Sequence, residues 1–142
     1  MTPIFKCKLI VEKHGIKKNS KRILKNFKTG QRFIGSSSSA QKQESILTHK
    51  LHIERLKQRL DTINHDIHIR YVFYYPKSVF FTKKGQRSKN LADLSNLIET
   101  PSDALIKAKI IHDDNLIVSL DGTRRDFVED NDYWLEIEIF KA

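Results

Sequence analysis

One segment in the middle of the chain constrains the fold more than any other. Residues 66–76, DIHIRYVFYYP, are rich in β-branched and aromatic side chains, and the apolar ones recur at every second position. Successive side chains of a strand point to opposite faces, so these apolar residues share one face. They are Ile67, Ile69, Tyr71, Phe73 and Tyr75. The segment therefore predicts a central strand.

Patterns before this strand predict a strand, a hairpin and a helix. Residues 4–11 alternate apolar side chains with lysines, as a half-buried strand does. Two short strand-like pieces, residues 22–24 and 32–34, are bounded by turn signals and predict a basic hairpin. The serine run at residues 36–39 predicts a loop. Residues 41–60 carry apolar side chains at spacings of three, four and seven, which indicates an amphipathic helix whose basic face is either solvated or in contact with phosphates.

Patterns after the central strand predict a basic loop and two more strands. Residues 78–82 can extend the sheet, and residues 83–90, KKGQRSKN, form a basic polar loop with a glycine at its turn. Residues 116–120 and 134–140 are the last predicted strands. Residues 121–132, between them, are predicted to be the loop of a hairpin.

The length and composition fit a single domain over residues 1–142. With 39% hydrophobic residues the chain can bury a core of two or three packed layers. No apolar run approaches the roughly 20 residues of a membrane span, and residues 1–15 lack the features of a signal peptide, so we expect a cytoplasmic protein. The single cysteine, Cys7, excludes an internal disulfide, and its alternation with Lys6 and Lys8 predicts a core thiol.

The distribution of charge points to a polyanionic partner. The formal net charge is +9, but residues 1–89 hold 21 lysines and arginines against 5 acidic residues, whereas residues 90–142 hold 5 against 12. A basic segment followed by an acidic one suggests a polyanion-binding surface beside a cluster of carboxylates. Nucleic acid is the first candidate partner. The alternative is a generically basic surface that keeps the protein soluble.

The acidic segment begins with a predicted helix that has one polar face. At 100° per residue the apolar side chains from Leu94 to Leu105 fall in one arc. Asp93 lies at the N-terminal end, and Pro101, which has no backbone N–H, predicts a kink or a break. The opposite, polar arc holds Ser95, Asn96, Glu99, Ser102 and Asp103.

Two adjacent aspartates, Asp113 and Asp114, follow this helix just before a predicted strand. Together with Asp93 they would bring several oxygen ligands together on rigid elements, which is what a hard divalent cation needs. The pattern alone leaves a structural interpretation open. Paired aspartates are common in turns, and Asp93 is a good helix N-cap.

Three short motifs lie in this stretch: D-L-S-N-L-I-E at residues 93–99, D-A-L at residues 103–105 and I-I-H-D-D at residues 110–114. They resemble the signature of the RusA-type Holliday-junction resolvases. That signature is D-L-D-N-L-x-K, then D-A-L, then an apolar pair and D-D before a strand. The order and the spacing agree. A weaker resemblance extends to the first strand, the KKNSKR segment, the long helix and the last strand.

The resemblance implies an α+β fold, a compact mixed sheet with two main helices, in a homodimer that binds four-way DNA junctions. It also implies symmetrical nicking of opposed strands with a divalent metal, Mg²⁺ or Mn²⁺. By position, Asp93 matches the first catalytic aspartate of the family, Asp114 the third, and Asp113 its acidic neighbour. These three residues are therefore the expected catalytic and metal-binding carboxylates. No membrane partner is expected.

Two positions depart from the family signature. Ser95 stands where the second aspartate is expected, and Glu99 stands where a lysine is usual. Serine is a weak neutral ligand, so the metal loses one negative charge there. Glu99 lies one helical turn beyond Ser95 and can restore that charge, which makes it a further candidate catalytic residue. Lys83, Lys84 or Lys89 would then provide the missing cation.

Basic residues in two predicted loops are the candidate DNA contacts. The loop at residues 83–90 leads directly into Asp93 and carries no apolar periodicity that would bury it. For the arginines of the last hairpin loop, simple exposure to solvent is an equal alternative. The candidates are Lys83, Lys84, Arg87, Lys89, Arg124 and Arg125.

The preferred interpretation is a metal-dependent endonuclease that resolves Holliday junctions by paired nicks during recombination and repair. The main alternative is a protein that binds junctions or other structured DNA but has lost or altered cleavage because of Ser95 and Glu99. Metal-dependent nicking of a synthetic junction separates the two. A basic structural or ribosome-associated protein would not explain the spacing of the carboxylates.

Overall fold

The computed structural model describes residues 2–15, 21–25, 32–36 and 38–142, and within them the chain forms seven strands and three helices. The strands are β1 Phe5–Val11, β2 Lys21–Lys25, β3 Arg32–Ser36, β4 Ile67–Pro76, β5 Ile117–Ser119, β6 Arg124–Val128 and β7 Tyr133–Lys141. The helices are α1 Ser38–Lys57, α2 Lys77–Phe80 and α3 Leu94–Lys107, and Asp114–Leu116 form one 3-10 turn. The expected mixed content, with two main helices, is confirmed.

β4 is the centre of the main sheet. β7 pairs with it antiparallel over most of its length, and β1 pairs antiparallel with the other edge of β7. On the opposite edge of β4, β5 pairs in parallel near Ile67, and β6 pairs in parallel from Val72 to Pro76. The sheet is therefore mixed. The strands β2 and β3 form a separate antiparallel hairpin, as predicted.

The predicted apolar face of β4 is the centre of the core. Ile67, Ile69 and Tyr71 are fully buried, and Phe73 and Tyr75 are nearly so. Burying each such side chain contributes about 1.5–3 kcal/mol, so this single face is a large part of the driving force for folding. The long helices cover it with Leu47 and Leu51 of α1 and Leu97, Ala104 and Leu105 of α3. The sequence period of two is confirmed.

Cys7 is buried on the same face of the sheet, as its alternation with lysines predicts. Burial raises the pKa of its thiol to about 12. The thiol therefore stays protonated and acts as a small core side chain.

The predicted loop at residues 36–39 is wrong, because Ser36 ends β3 and Ser38 and Ser39 begin α1. Residue 37 lies outside the described residues. Serine is favourable at a helix start, where its hydroxyl can accept a hydrogen bond from a free backbone N–H. The predicted end of the helix at residue 60 is also too late. The helix ends at Lys57, and Arg59 takes a positive φ of 50° that an α-helix does not contain.

The predicted hairpin between the last two strands is wrong. Residues 124–128 form β6 within the predicted loop, because the short strand β5 pairs with only the first part of β4. The backbone groups further along that edge of β4 need partners, and β6 provides them. A turn at Gly122, whose φ is +83°, separates β5 from β6. Arg124 and Arg125 therefore lie in a strand, whereas the sequence analysis placed them in a loop.

Pro76 ends a strand, whereas Pro101 lies inside a helix. Residues 78–82 were predicted to extend the sheet, but the chain turns into the one-turn helix α2 after Pro76, since proline provides no N–H for further strand pairing. The predicted break at Pro101 does not occur, and α3 runs through it from Leu94 to Lys107. The burial of α3 against the sheet outweighs the one missing hydrogen bond.

Candidate functional site

Asp93 occupies the N-cap position of α3, but its carboxylate does not cap the helix. Its backbone carbonyl accepts hydrogen bonds from the N–H groups of Asn96 at 3.0 Å and Leu97 at 3.2 Å. The side chain makes no capping hydrogen bond and is exposed. The Asp93 side chain therefore does not cap the helix, and its exposed carboxylate can bind a ligand.

The polar face of α3 lines a shallow cleft together with the 3-10 turn and β5. We call it the acidic cleft. It brings Asp114 together with Ser95 and Glu99, three positions that the sequence analysis singled out, and adds Asp103 from the D-A-L motif. The lining residues are Ser95, Ile98, Glu99, Ser102, Asp103, Asp114, Ile117 and Leu120. Asp93 and Asp113 are not in this lining.

Asp113 and Asp114 are exposed neighbours whose carboxyl groups interact. The Asp113 carboxylate accepts a hydrogen bond from the backbone N–H of Asn115 at 3.2 Å, which fixes the start of the 3-10 turn. This N–H, and then a hydrogen bond from Asp114, lower the pKa of Asp113. The same contact with Asp113 raises the pKa of Asp114. The pair therefore titrates as a unit, and a cation beside it would relieve the repulsion of its two charges.

The three expected metal-binding aspartates do not form a ready-made cluster. Within the described ranges, no group of three or more histidine, cysteine or acidic side chains is placed to hold a metal ion. Magnesium usually takes one or two protein carboxylates and completes its shell with water and substrate phosphate. The Asp113–Asp114 pair fits that requirement. The assignment of Asp93, Asp113 and Asp114 to a metal stays a prediction.

A buried hydroxyl connects the sheet to the acidic cleft. The Tyr71 hydroxyl lies 2.8 Å from Ser102 Oγ, and Ser102 Oγ donates to the carbonyl of Ile98 at 2.7 Å. Because Ser102 has only one hydroxyl hydrogen, Tyr71 is the donor to Ser102. Burial raises the pKa of Tyr71, and the charge of Asp114 raises it further. In the sequence, the signal for this contact is that Tyr71 places a phenol hydroxyl among the apolar side chains of β4.

The basic loop, residues 83–90, is closed by backbone hydrogen bonds to nearby residues, including one from Ser88 N–H to the carbonyl of Phe80 in α2 at 2.8 Å. Thr82 N–H donates to the carbonyl of Gln86 at 2.7 Å, and Gly85 N–H donates back to Thr82 at 2.9 Å. A positive φ of +79° at Gly85 makes this turn possible. All four of its cations, Lys83, Lys84, Arg87 and Lys89, are exposed, and none forms a salt bridge with an acidic residue of the described chain.

Arg124 and Arg125 are adjacent in sequence but differ in environment. Arg124 is exposed and lies 3.6 Å from Asp126 in an ion pair. Arg125 is half-buried, and its Nη1 donates to the backbone carbonyl of Ala92 at 2.9 Å. Simple exposure to solvent, the alternative for both arginines, is therefore wrong for Arg125, and a DNA contact at either position stays a prediction.

The family model described as Endodeoxyribonuclease RusA matches residues 17–139. The chain belongs to the RusA family. The match contains the three motifs, the basic loop and the acidic cleft, so the resemblance stated from residues 93–114 is confirmed. RusA membership indicates an endodeoxyribonuclease of the Holliday-junction resolvase type that binds branched DNA. No curated protein matches the chain. In the part of the chain that the structure describes, no helix is long and apolar enough to cross a membrane.

Proposed function

We propose that this protein is a homodimeric, metal-dependent endonuclease that binds four-way DNA junctions and resolves them by paired nicks. The observation that carries the proposal is the acidic cleft. It gathers Glu99, Asp103 and Asp114 beside Ser95 on one rigid helix and the turn packed against it. The spacing of these positions follows the RusA signature, and the family match includes all of them.

The aspartates are the proposed ligands of Mg²⁺ or Mn²⁺. Asp113 and Asp114 would hold the ion, and Asp93, whose exposed carboxylate makes no capping hydrogen bond, would be the third ligand. When bound, such an ion neutralises charge on the scissile phosphate and lowers the pKa of a water molecule. Glu99 and Asp103 add negative charge to the cleft, which offsets the aspartate that Ser95 replaces. The α3 backbone holds these carboxylates in a fixed geometry.

The basic residues are the proposed DNA contacts. Lys83, Lys84, Arg87 and Lys89 are exposed, and none forms a salt bridge within the described residues, so each can pair with a phosphate. The loop that holds them leads into Asp93. Binding that neutralises several phosphates releases counterions, so affinity would fall by orders of magnitude between low and physiological salt. The loop would then attract DNA through its positive charge, and the cleft would carry out the hydrolysis.

The proposed dimer follows from the reaction. Symmetrical nicking of two opposed strands needs two equivalent sites, and a two-fold symmetric homodimer provides them. Each protomer would then cut one of the two opposed strands.

The direct experiment compares a synthetic four-way junction with a linear duplex of the same sequence. Binding is measured on native gels in chelator, and nicking is measured on denaturing gels after Mg²⁺ is added. The proposal predicts preferential binding to the junction and nicking that needs the metal. Junction binding without nicking in Mg²⁺ or Mn²⁺ would contradict it and support the binding-only alternative.

A further inference from the structure

Arg125 reaches the helix that carries the acidic cleft. In the parallel pairing of β4 with β6, Arg125 lies opposite Phe73, whose side chain is on the helix-covered face. Paired residues of neighbouring strands point to the same face, so Arg125 points toward the helices, whereas Arg124, opposite Val72, points away. This explains why Arg125 is half-buried and Arg124 is exposed.

The group that Arg125 contacts has no partner within α3. Ala92 is half-buried and precedes the N-cap, Asp93, whose own carbonyl already receives the first helical hydrogen bonds. A half-buried carbonyl without a donor is costly, and the Arg125 guanidinium provides a charged donor at 2.9 Å. The hydrogen bond therefore fixes the backbone immediately before Asp93.

The segment that follows β1 also packs against Ala92. Gly15 follows β1 with a φ of +87°, and a Cβ built on it would lie 3.0 Å from the Ala92 Cβ. The backbone of Gly15 thus packs directly against Ala92. The Arg125 charge also acts on Tyr75, since it lowers the pKa of a hydroxyl that burial raises to about 12. The guanidinium is therefore partly buried and lies beside the start of α3.

We propose that Arg125 is a positioning residue that holds the Ala92–Asp93 backbone, and so orients the Asp93 carboxylate, instead of contacting DNA. The inference rests on the proposed nuclease function for its effect on cleavage. Loss of the contact would loosen the first turn of α3 without removing a cation from the DNA-binding surface. Misplacing a reacting group by a fraction of an ångström is enough to slow catalysis, so we expect a roughly tenfold slower nicking of bound junction.

The test uses Arg125→Met, which keeps the length and apolar stem but removes the charge and the donors, with Arg124→Met as the matched control. The amides of Asn96 and Leu97 donate to the Asp93 carbonyl, so their hydrogen exchange should accelerate in Arg125→Met and not in Arg124→Met. The salt dependence of junction binding should be unchanged in Arg125→Met. If Arg125 instead contacted a phosphate, the salt slope would fall by about 0.9.

Two further measurements separate positioning from a general loss of structure. The fraction of molecules that bind junction and the melting temperature show whether the variant is folded. The nicking rate at saturating junction concentration shows whether the proposed catalytic site is impaired. Slower nicking with full binding capacity supports the proposal, and Arg125→Lys, which keeps one donor, should recover part of the rate. A loss of binding capacity that accounts for the whole decrease in rate would overturn it.

Failure of the proposed function would be recognised separately. If the wild-type protein nicks no junction, the exchange and salt measurements still decide the role of Arg125. Faster exchange with an unchanged salt slope supports positioning of Asp93, and unchanged exchange overturns it.

Discussion

The basic loop and the acidic cleft carry opposite charges and are held in opposite ways. The loop has four exposed cations on a turn closed by its own backbone. The cleft has Glu99 and Asp103 on α3 and Asp114 on the 3-10 turn. The other face of α3 is buried in the core, and its polar face is joined to β4 through Tyr71 and Ser102. Attraction of a phosphate backbone depends mainly on charge, whereas hydrolysis depends on groups held in place. The two regions should therefore respond differently to substitution.

The largest expected effect is the loss of nicking when one of the proposed metal-binding carboxylates is changed. Asp114→Asn removes a charge from the proposed metal site and keeps the side-chain shape, so nicking should fall by at least about 100-fold. Asp93→Asn should have a similar effect. Junction binding should stay intact or tighten, because each change removes a negative charge that faces DNA.

Asp61→Asn is the control for these variants, since Asp61 is an exposed carboxylate in the loop after α1. Its nicking rate should equal that of the wild type. Normal nicking by Asp114→Asn would contradict the assignment of the cleft.

The second-largest expected effect is weaker DNA binding when cations of the basic loop are removed. Replacing both Lys84 and Arg87 with alanine should weaken binding to all DNA sequences and lower the slope of log affinity against log salt by up to about two phosphate contacts. The control replaces Lys42 and Lys141, two exposed lysines elsewhere on the surface. An equal loss in both double variants would show that general basicity, and not the loop, attracts DNA.

A smaller effect is expected at the two positions that depart from the family signature. If Glu99 supplies the charge that Ser95 lacks, Glu99→Gln should shift the magnesium dependence of nicking to higher concentration, by roughly three- to tenfold. Ser95→Asp should raise activity. Superimposable magnesium curves for Glu99→Gln and wild type would assign Glu99 to the solvated face of α3.

The smallest effect is on stability. Tyr71→Phe removes the donor to Ser102 and should lower the free energy of unfolding by about 1 kcal/mol, with an unchanged salt slope of binding. Tyr74→Phe is the matched control, because its hydroxyl is half-exposed and lies 3.5 Å from Glu136. Urea unfolding measures both. Equal stability of the two variants would show that the buried hydroxyl does not hold the cleft.

Features that depend on a single segment could be predicted from the sequence, whereas features that depend on contacts between distant segments could not. β4 and the polar face of α3 follow from periods of two and 3.6 within one segment, so both were predicted correctly. β6 forms because β5 leaves part of the β4 edge unpaired, which no local pattern in residues 124–128 reveals. The different environments of Arg124 and Arg125 depend on that strand. The sequence could place Asp103 on the polar face, but its position beside Asp114 depends on the packing of α3.

The most direct test of the central claim maps nicks on a four-way junction with each strand labelled in turn, using chelator-treated protein before and after Mg²⁺ is added. We expect no cutting in chelator and, with Mg²⁺, nicks at symmetry-related positions on two opposed strands. Cutting that is unaffected by chelator, or no cutting of a junction that the protein binds, would contradict it.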